Sequence, residues 1–165
     1  MVIANNGVLT ELPLGLPGRF YRSPMPFGPF DRLGAVWDAY RAAEISLVAV
    51  LVEPQEYLVH ARRDLPAFYR ARGLEVVTHP IPDFGVPRDP EGFRAALKRV
   101  RAHLESGKHA AAHCMAGVGR TGLFAACLAR DVLALPPEEA VAWVRQFIPG
   151  ALESEEQVRF ASRVV

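Results

Sequence analysis

Residues 109–135 read HAAAHCMAGVGRTGLFAACLARDVLAL, and they decide the fold. The first five, 109–113, are short and apolar, as a central strand is. The last fifteen, 121–135, are apolar almost all round and predict a buried helix. Between strand and helix stand Met115, Ala116, Gly117, Val118 and Gly119, two of them glycines and none a bulky polar residue. A tight turn of such residues points several backbone N–H groups at one centre and makes a nest for an anion. The helix N-terminus adds its partial positive charge. Arg120 adds a planar fork of donors that suits a tetrahedral oxyanion. Residues 115–120 are therefore the candidate phosphate-binding loop. Cys114 opens it, and the field that holds an anion also favours thiolate over thiol. At helix N-termini thiol pKa values fall to roughly 3.5–7.5. The pattern reads as a thiolate aimed at phosphorus, with the loop and Arg120 holding the group under attack.

Outward from this stretch the chain alternates strands and helices. A short strand is expected at 20–22. Residues 31–43 read as a helix with Asp31 as its N-cap. Residues 47–52, LVAVLV, are continuously apolar and half β-branched, the mark of a strand buried on both faces. A helix is expected at 65–72, stopped by Gly73, and a strand at 74–79. Residues 82–90 are dense in Pro and Gly and read as a loop. Residues 91–106 carry Phe93, Leu97, Val100 and Leu104 at helical spacing, and Gly107 ends that helix. Further helices are expected at 138–148 and 154–165. This alternation predicts one α/β domain over residues 1–165, with a central, mostly parallel sheet flanked by helices. Ligands in such sheets bind beyond the carboxyl ends of the strands, where the loop after residue 113 falls.

Composition narrows the classes. The chain has 165 residues, half of them hydrophobic, and a mean hydropathy of +0.10, enough for one folded core. A formal net charge of +1 gives no reason to expect nucleic acid or an anionic membrane as partner. No apolar run reaches the length of a membrane span, and the first twenty residues lack the basic start and apolar stretch of a secretory signal. Two cysteines are too few for a disulfide scaffold, so a cytoplasmic, reducing compartment is expected. Cys127 falls about 10 Å along the predicted helix from the loop. A bridge to Cys114 needs Cα atoms within roughly 7 Å, so Cys127 reads as core. No metal is expected, because no other His, Cys or carboxylate lies at ligand spacing from His113.

Attack by a thiolate leaves an oxygen that needs a proton, so a general acid must reach the site from elsewhere in the chain. Asp83 in IPDFGVP is the best candidate, flanked by Pro82, Gly85 and Pro87 on a loop after a strand. Without the cysteine loop it would read as a turn residue. His113 reads as a structural histidine that orients the loop and helps keep Cys114 ionised. Thr121 fits a helix N-cap. Residues 154–157, SEEQ, form a capping box with Gln157 at the third helical position. Glu53, at the carboxyl end of the apolar strand, reads equally as a pocket edge or a solvated loop residue.

Three motifs in order carry a resemblance. HCMAGVGRTG is similar to the His-Cys-five residues-Arg-Ser/Thr motif of the cysteine-dependent protein tyrosine phosphatases. IPDFGVP resembles their mobile general-acid loop, and IPGALESEEQVRF resembles the segment with their water-positioning glutamine. The likeness runs from about Leu16 to the end and is strongest to small dual-specificity-like enzymes. It implies a phosphocysteine on Cys114, with Asp83 as acid and then base. Arg120 and the amides of 115–120 would hold the phosphate oxygens. Thr121 would donate a hydrogen bond to the sulfur, and Gln157 would orient the attacking water. No cofactor is implied.

Met115 and Val118 are apolar and the loop has no lysine, so it offers one arginine for one phosphate. That favours phosphotyrosine in a protein or peptide, with phosphoserine and phosphothreonine left open because pocket depth decides them. A rhodanese-type sulfurtransferase also uses a cysteine in an anion loop, but needs neither Asp83 nor Gln157. A silent phosphate-binding module would not need Cys114, Arg120 and Asp83 together. Absence of a Gly-Lys-Ser/Thr ending rules out a nucleotide-binding P-loop, and the glycine spacing does not fit a dinucleotide fingerprint. A monomer is the expected state.

Overall fold

The computed structural model describes residues 8–164. The first seven residues, part of the stretch read for a signal, and Val165, the expected end of the last helix, lie outside the described residues.

Twelve elements follow one another among the described residues: β1 (Thr10–Leu12), β2 (Phe20–Ser23), α1 (Ala35–Ala42), β3 (Ile45–Val50), α2 (Pro54–His60), α3 (Leu65–Arg70), β4 (Glu75–Thr78), α4 (Pro90–Glu105), β5 (His109–His113), α5 (Gly119–Leu133), α6 (Pro137–Phe147) and α7 (Glu155–Arg163). The five strands form one sheet in the order β1-β2-β5-β3-β4. All neighbours are parallel except β1 and β2. This is the expected α/β domain with a mostly parallel sheet.

Strand β5 is central, between two parallel neighbours, and His113 stands level with Ser23 on one side and Val50 on the other. Its alanines 110–112 are fully buried. Such small side chains leave room for α4 and α5, which pack on β5 and on each other. Residues 119–129 of α5 are all buried, as its continuous apolarity requires. Gly122 is needed for close approach: a Cβ there would stand 2.6 Å from Ala151 Cβ.

The structure departs from these expectations at four points. The first helix begins at Ala35, not at residue 32, because its N-cap is Gly34 in the left-handed region at φ 65°. Asp31 is not the N-cap. It is buried upstream, where its carboxylate accepts from Phe27 N–H (2.8 Å) and Val36 N–H (3.3 Å). Strand β1 was not expected, since three residues give no periodicity. Helix α2 was not expected either, because Pro54 reads as a breaker although Pro suits the first helical position.

Candidate active site

Two loops after neighbouring strands fix the start of the cysteine loop. Leu51 N–H donates to His113 O (3.1 Å) and Met25 N–H donates to Met115 O (2.9 Å). Gly117 makes the turn at φ 77°, and any Cβ there would collide with the Ser23 carbonyl and stand 3.0 Å from Arg22 Nη1. The helix then starts at Gly119, one or two residues earlier than the sequence suggests, with Val118 as an N-cap that has no side-chain bond. The N–H groups of its first turn lack intrahelical acceptors and are available to an anion.

A cavity of about 220 Å³ opens at this helix end. Cys114, Met115, Ala116, Gly119 and Arg120 line it, with Asp83, Phe84, Phe30 and Glu153. Gly117 and Val118 do not; they shape the turn behind it. Cys114 is only 3% exposed, so its thiol lies at the inner end of the cavity.

Arg120 is 2% exposed and held in a fixed fork. Its Nη1 donates to Glu56 Oε2 (2.7 Å) and Ile81 O (3.0 Å), and its Nη2 donates to Glu56 Oε1 (2.9 Å). Burial alone would raise the Glu56 carboxyl, but the bonds from Arg120 and from Glu53 N–H outweigh it and hold Glu56 below the usual range. Asp83 Oδ1 stands 3.3 Å from Arg120 Nη2. The acid loop therefore reaches the cavity, with the Asp83 side chain largely exposed. Asp83 Oδ1 also accepts from Phe84 N–H.

That loop is fastened to the start of α7. Ser154 Oγ donates to Phe84 O (2.9 Å) and accepts from Gln157 N–H (3.2 Å). The buried Gln157 amide accepts from Glu153 N–H through Oε1 (2.8 Å) and donates to Gly85 O through Nε2 (3.0 Å). Ser154 thus caps α7, but the expected capping box is only half formed, because Gln157 Oε1 accepts from Glu153 N–H and not from the N-cap Ser154. Both ends of Gln157 are occupied, and it does not line the cavity.

His113 is fully buried. Its Nε2 meets Tyr69 Oη at 3.0 Å and its Nδ1 meets Cys114 O at 3.2 Å. Burial pushes the imidazole down to about 4, against the bond to Cys114. Burial thus favours a neutral ring, which speaks against the expected part of His113 in keeping Cys114 ionised, and its contact is with the Cys114 carbonyl. Thr121 is the third helical residue, not the N-cap. Its buried Oγ1 has no hydrogen-bond partner, Cys114 included. Cys127 is a free, buried thiol raised to about 12 by desolvation, as a core cysteine should be. Glu53 does not edge the cavity: it caps α2 and pairs with Arg88 at 3.2 Å.

Sequence reasoning missed Glu56, Glu153 and the rim ring Phe30. Glu56 had a signal, because Glu53-Pro54-Gln55-Glu56 is itself a capping box. Glu153 and Phe30 had none. Among the described residues no group of three or more His, Cys, Asp or Glu could hold a metal. No helix of the described residues is long and apolar enough to cross a membrane. The cavity thus brings a thiol, a guanidinium, a helix N-terminus and a carboxyl together.

A family model described as "Polymorphic toxin system, DSP-PTPase phosphatase" matches residues 28–132. The chain is 34% identical over 91 residues to Protein-tyrosine-phosphatase PTP1 of Arabidopsis thaliana, covering 51% of this chain and 27% of that protein. It is 34% identical over 93 residues to the human tyrosine-protein phosphatase non-receptor type 18, covering 51% and 20%. The chain thus spans about a quarter of the length of these curated relatives. A mutant form of Tk-PTP superposes with a TM-score of 0.75 at 31% identity, over 89% of both chains. Kinase associated phosphatase, at 21% identity, shares the fold with a TM-score of 0.83 over 93% of this chain and 90% of that one.

Proposed function

The chain belongs to the DSP-PTPase family of cysteine-dependent protein tyrosine phosphatases, and from that premise we propose that it hydrolyses phosphotyrosine in a protein or peptide. One observation carries the reading: Cys114, Arg120 and Asp83, from a strand end, a helix and a distant loop, line one cavity. The Cys114 thiolate attacks phosphorus and forms the S–P bond as the ester O–P bond breaks. Asp83, protonated at this step, gives its proton to the leaving tyrosyl oxygen. The N–H groups of 115–120 and the Arg120 fork hold the three other oxygens, where preorganised donors act most strongly. Water then attacks phosphorus, Asp83 takes its proton, and the S–P bond breaks to release phosphate and restore the thiolate. Thr121, whose hydroxyl has no other partner, donates to the departing sulfur. Gln157 keeps the acid loop in place. Exposed Phe30 and Phe84 at the cavity rim favour an aryl ester over an alkyl one.

The test is turnover of para-nitrophenyl phosphate and a phosphotyrosine peptide without added metal. Wild type should turn over both, Cys114→Ser neither, and Asp83→Ala about 10²–10⁴-fold more slowly, the usual worth of a general acid. An inactive wild type that transfers sulfur from thiosulfate to cyanide would overturn the reading in favour of a sulfurtransferase.

A further inference from the structure

A second guanidinium lies behind the cysteine loop. Arg22, on β2, pairs in register with Ala112 of β5, two residues before Cys114. Its Nη1 comes to 3.0 Å from the position a Gly117 Cβ would take, so the side chain runs under the turn. Its Nε is buried and has no hydrogen-bond partner. Among the described residues no carboxylate lies within salt-bridge distance of it. A half-buried cation with a buried, unpartnered Nε and no carboxylate beside it is costly, and such a group in a native fold calls for a function.

The other charges around the cavity make that function specific. Arg120 faces two carboxylates, Glu56 at 2.7 Å and Asp83 at 3.3 Å. Glu153, before α7, adds a third acidic side chain to the lining. His113, on β5, is neutral, and Tyr40, from α1, is a buried phenol pushed above its usual value. Without Arg22 the named side chains carry one positive charge against three negative, a balance that drives a nearby sulfur toward thiol, and Arg22 halves that excess. Helix α5 opposes this only with its partial charge. Burial lowers the Arg22 guanidinium, and the neighbouring Cys114 raises it, so the two groups sense each other.

We propose that Arg22 is a positioning residue whose charge, under the loop, keeps Cys114 a thiolate between turnovers. The proposal rests on the reading of Cys114 as nucleophile. Arg22 is not among the residues lining the cavity, so it acts on substrate through the sulfur and not by contact.

The experiment reads the sulfur directly. Wild type, Arg22→Met and Arg22→Lys are alkylated with iodoacetamide across pH, and the Cys114 peptide is quantified by mass spectrometry. The neutral reagent avoids any pull of Arg22 on an anion. Arg22→Met should move the alkylation midpoint up by about one pH unit or more, a tenfold loss of thiolate below both midpoints. Arg22→Lys should restore most of it. The acid limb of kcat/KM should move with the same shift. An unmoved midpoint in a folded Arg22→Met overturns the proposal, and so does an Arg22→Lys as poor as Arg22→Met. If Arg22→Met does not fold, Arg22→Gln takes its place under the same two outcomes. Failure of the phosphatase reading looks different: wild type then shows no turnover whatever its alkylation midpoint.

Discussion

At the scale of single residues, partly buried Glu56 and buried His113 each support the site through another residue. Glu56 clamps Arg120 from 64 positions away in the chain. Glu56→Gln keeps the shape and removes the charge. It leaves a guanidinium 2% exposed with one poor partner in place of a bidentate carboxylate. Discounted for the partial exposure of Glu56, the expected loss is about 2 kcal/mol of stability. With the fork no longer fixed, kcat/KM should fall at least about tenfold. Urea unfolding and steady-state kinetics check both, and an unchanged midpoint with unchanged kcat/KM would show the ion pair to be idle. His113 makes a prediction in pH. Its folded value, about 4, lies below the ordinary 6.5, so the unfolded chain takes up the proton first as pH falls. The stability His113 contributes is therefore complete above pH 6.5 and is lost on going down to about 4. The amount is about 3 kcal/mol at most. Urea midpoints measured from pH 7.5 to 4.5 should fall steeply in wild type and less steeply in His113→Asn; parallel slopes would refute the assignment.

Among the elements, the join between the acid loop and α7 carries the next prediction. Ser154 Oγ and Gln157 Nε2 hold the carbonyls of Phe84 and Gly85, so the cap of one helix also fixes the loop that bears Asp83. Ser154→Ala removes the cap and the loop bond together, for a loss of about 1–2 kcal/mol. Amide exchange over residues 82–87 should quicken while that of β5 does not, and kcat should drop several-fold. Equal exchange in both forms would show that the loop does not depend on α7. The same join marks where sequence stops being legible. The strand, loop and helix around Cys114 could be read because backbone geometry and chemistry lie in one run of residues. Asp83 could be read because proline and glycine announce its loop. The Gln157 bond to Gly85 spans 72 positions and the Arg120 bonds to Glu56 span 64, and no local pattern encodes either. The neutrality of His113 depends on burial by other elements, so residue type alone suggested the opposite charge. Asp31 shows the limit at a boundary: it does bond the first turn of α1, but a left-handed Gly34 shifts the helix start past it.

Across the whole molecule, sheet and helices converge on the cavity proposed to hold the phosphate, and that couples ligand binding to global stability. The cysteine loop is fixed by β5, by the ends of β2 and β3, and by α5, whose first eleven residues are buried. Unfolding any of these dismantles the nest, so an anion that binds the folded state stabilises the entire domain. At a hundred times its Kd, a single bound oxyanion is worth about 2.7 kcal/mol. For a chain of this size that is a rise in Tm of roughly 5–10 °C. Tungstate, a tetrahedral dianion that cannot be hydrolysed, is the probe, read by thermal unfolding at fixed ionic strength. Wild type should rise by this amount. Cys114→Ser should rise at least as much, because it keeps every donor and loses the thiolate that repels the anion. Arg120→Met should rise far less from its own, lower starting Tm, since the bidentate fork is gone. A shift of the same size in Arg120→Met would mean that tungstate acts as a general salt, and the anion site would then have to lie elsewhere than at the start of α5.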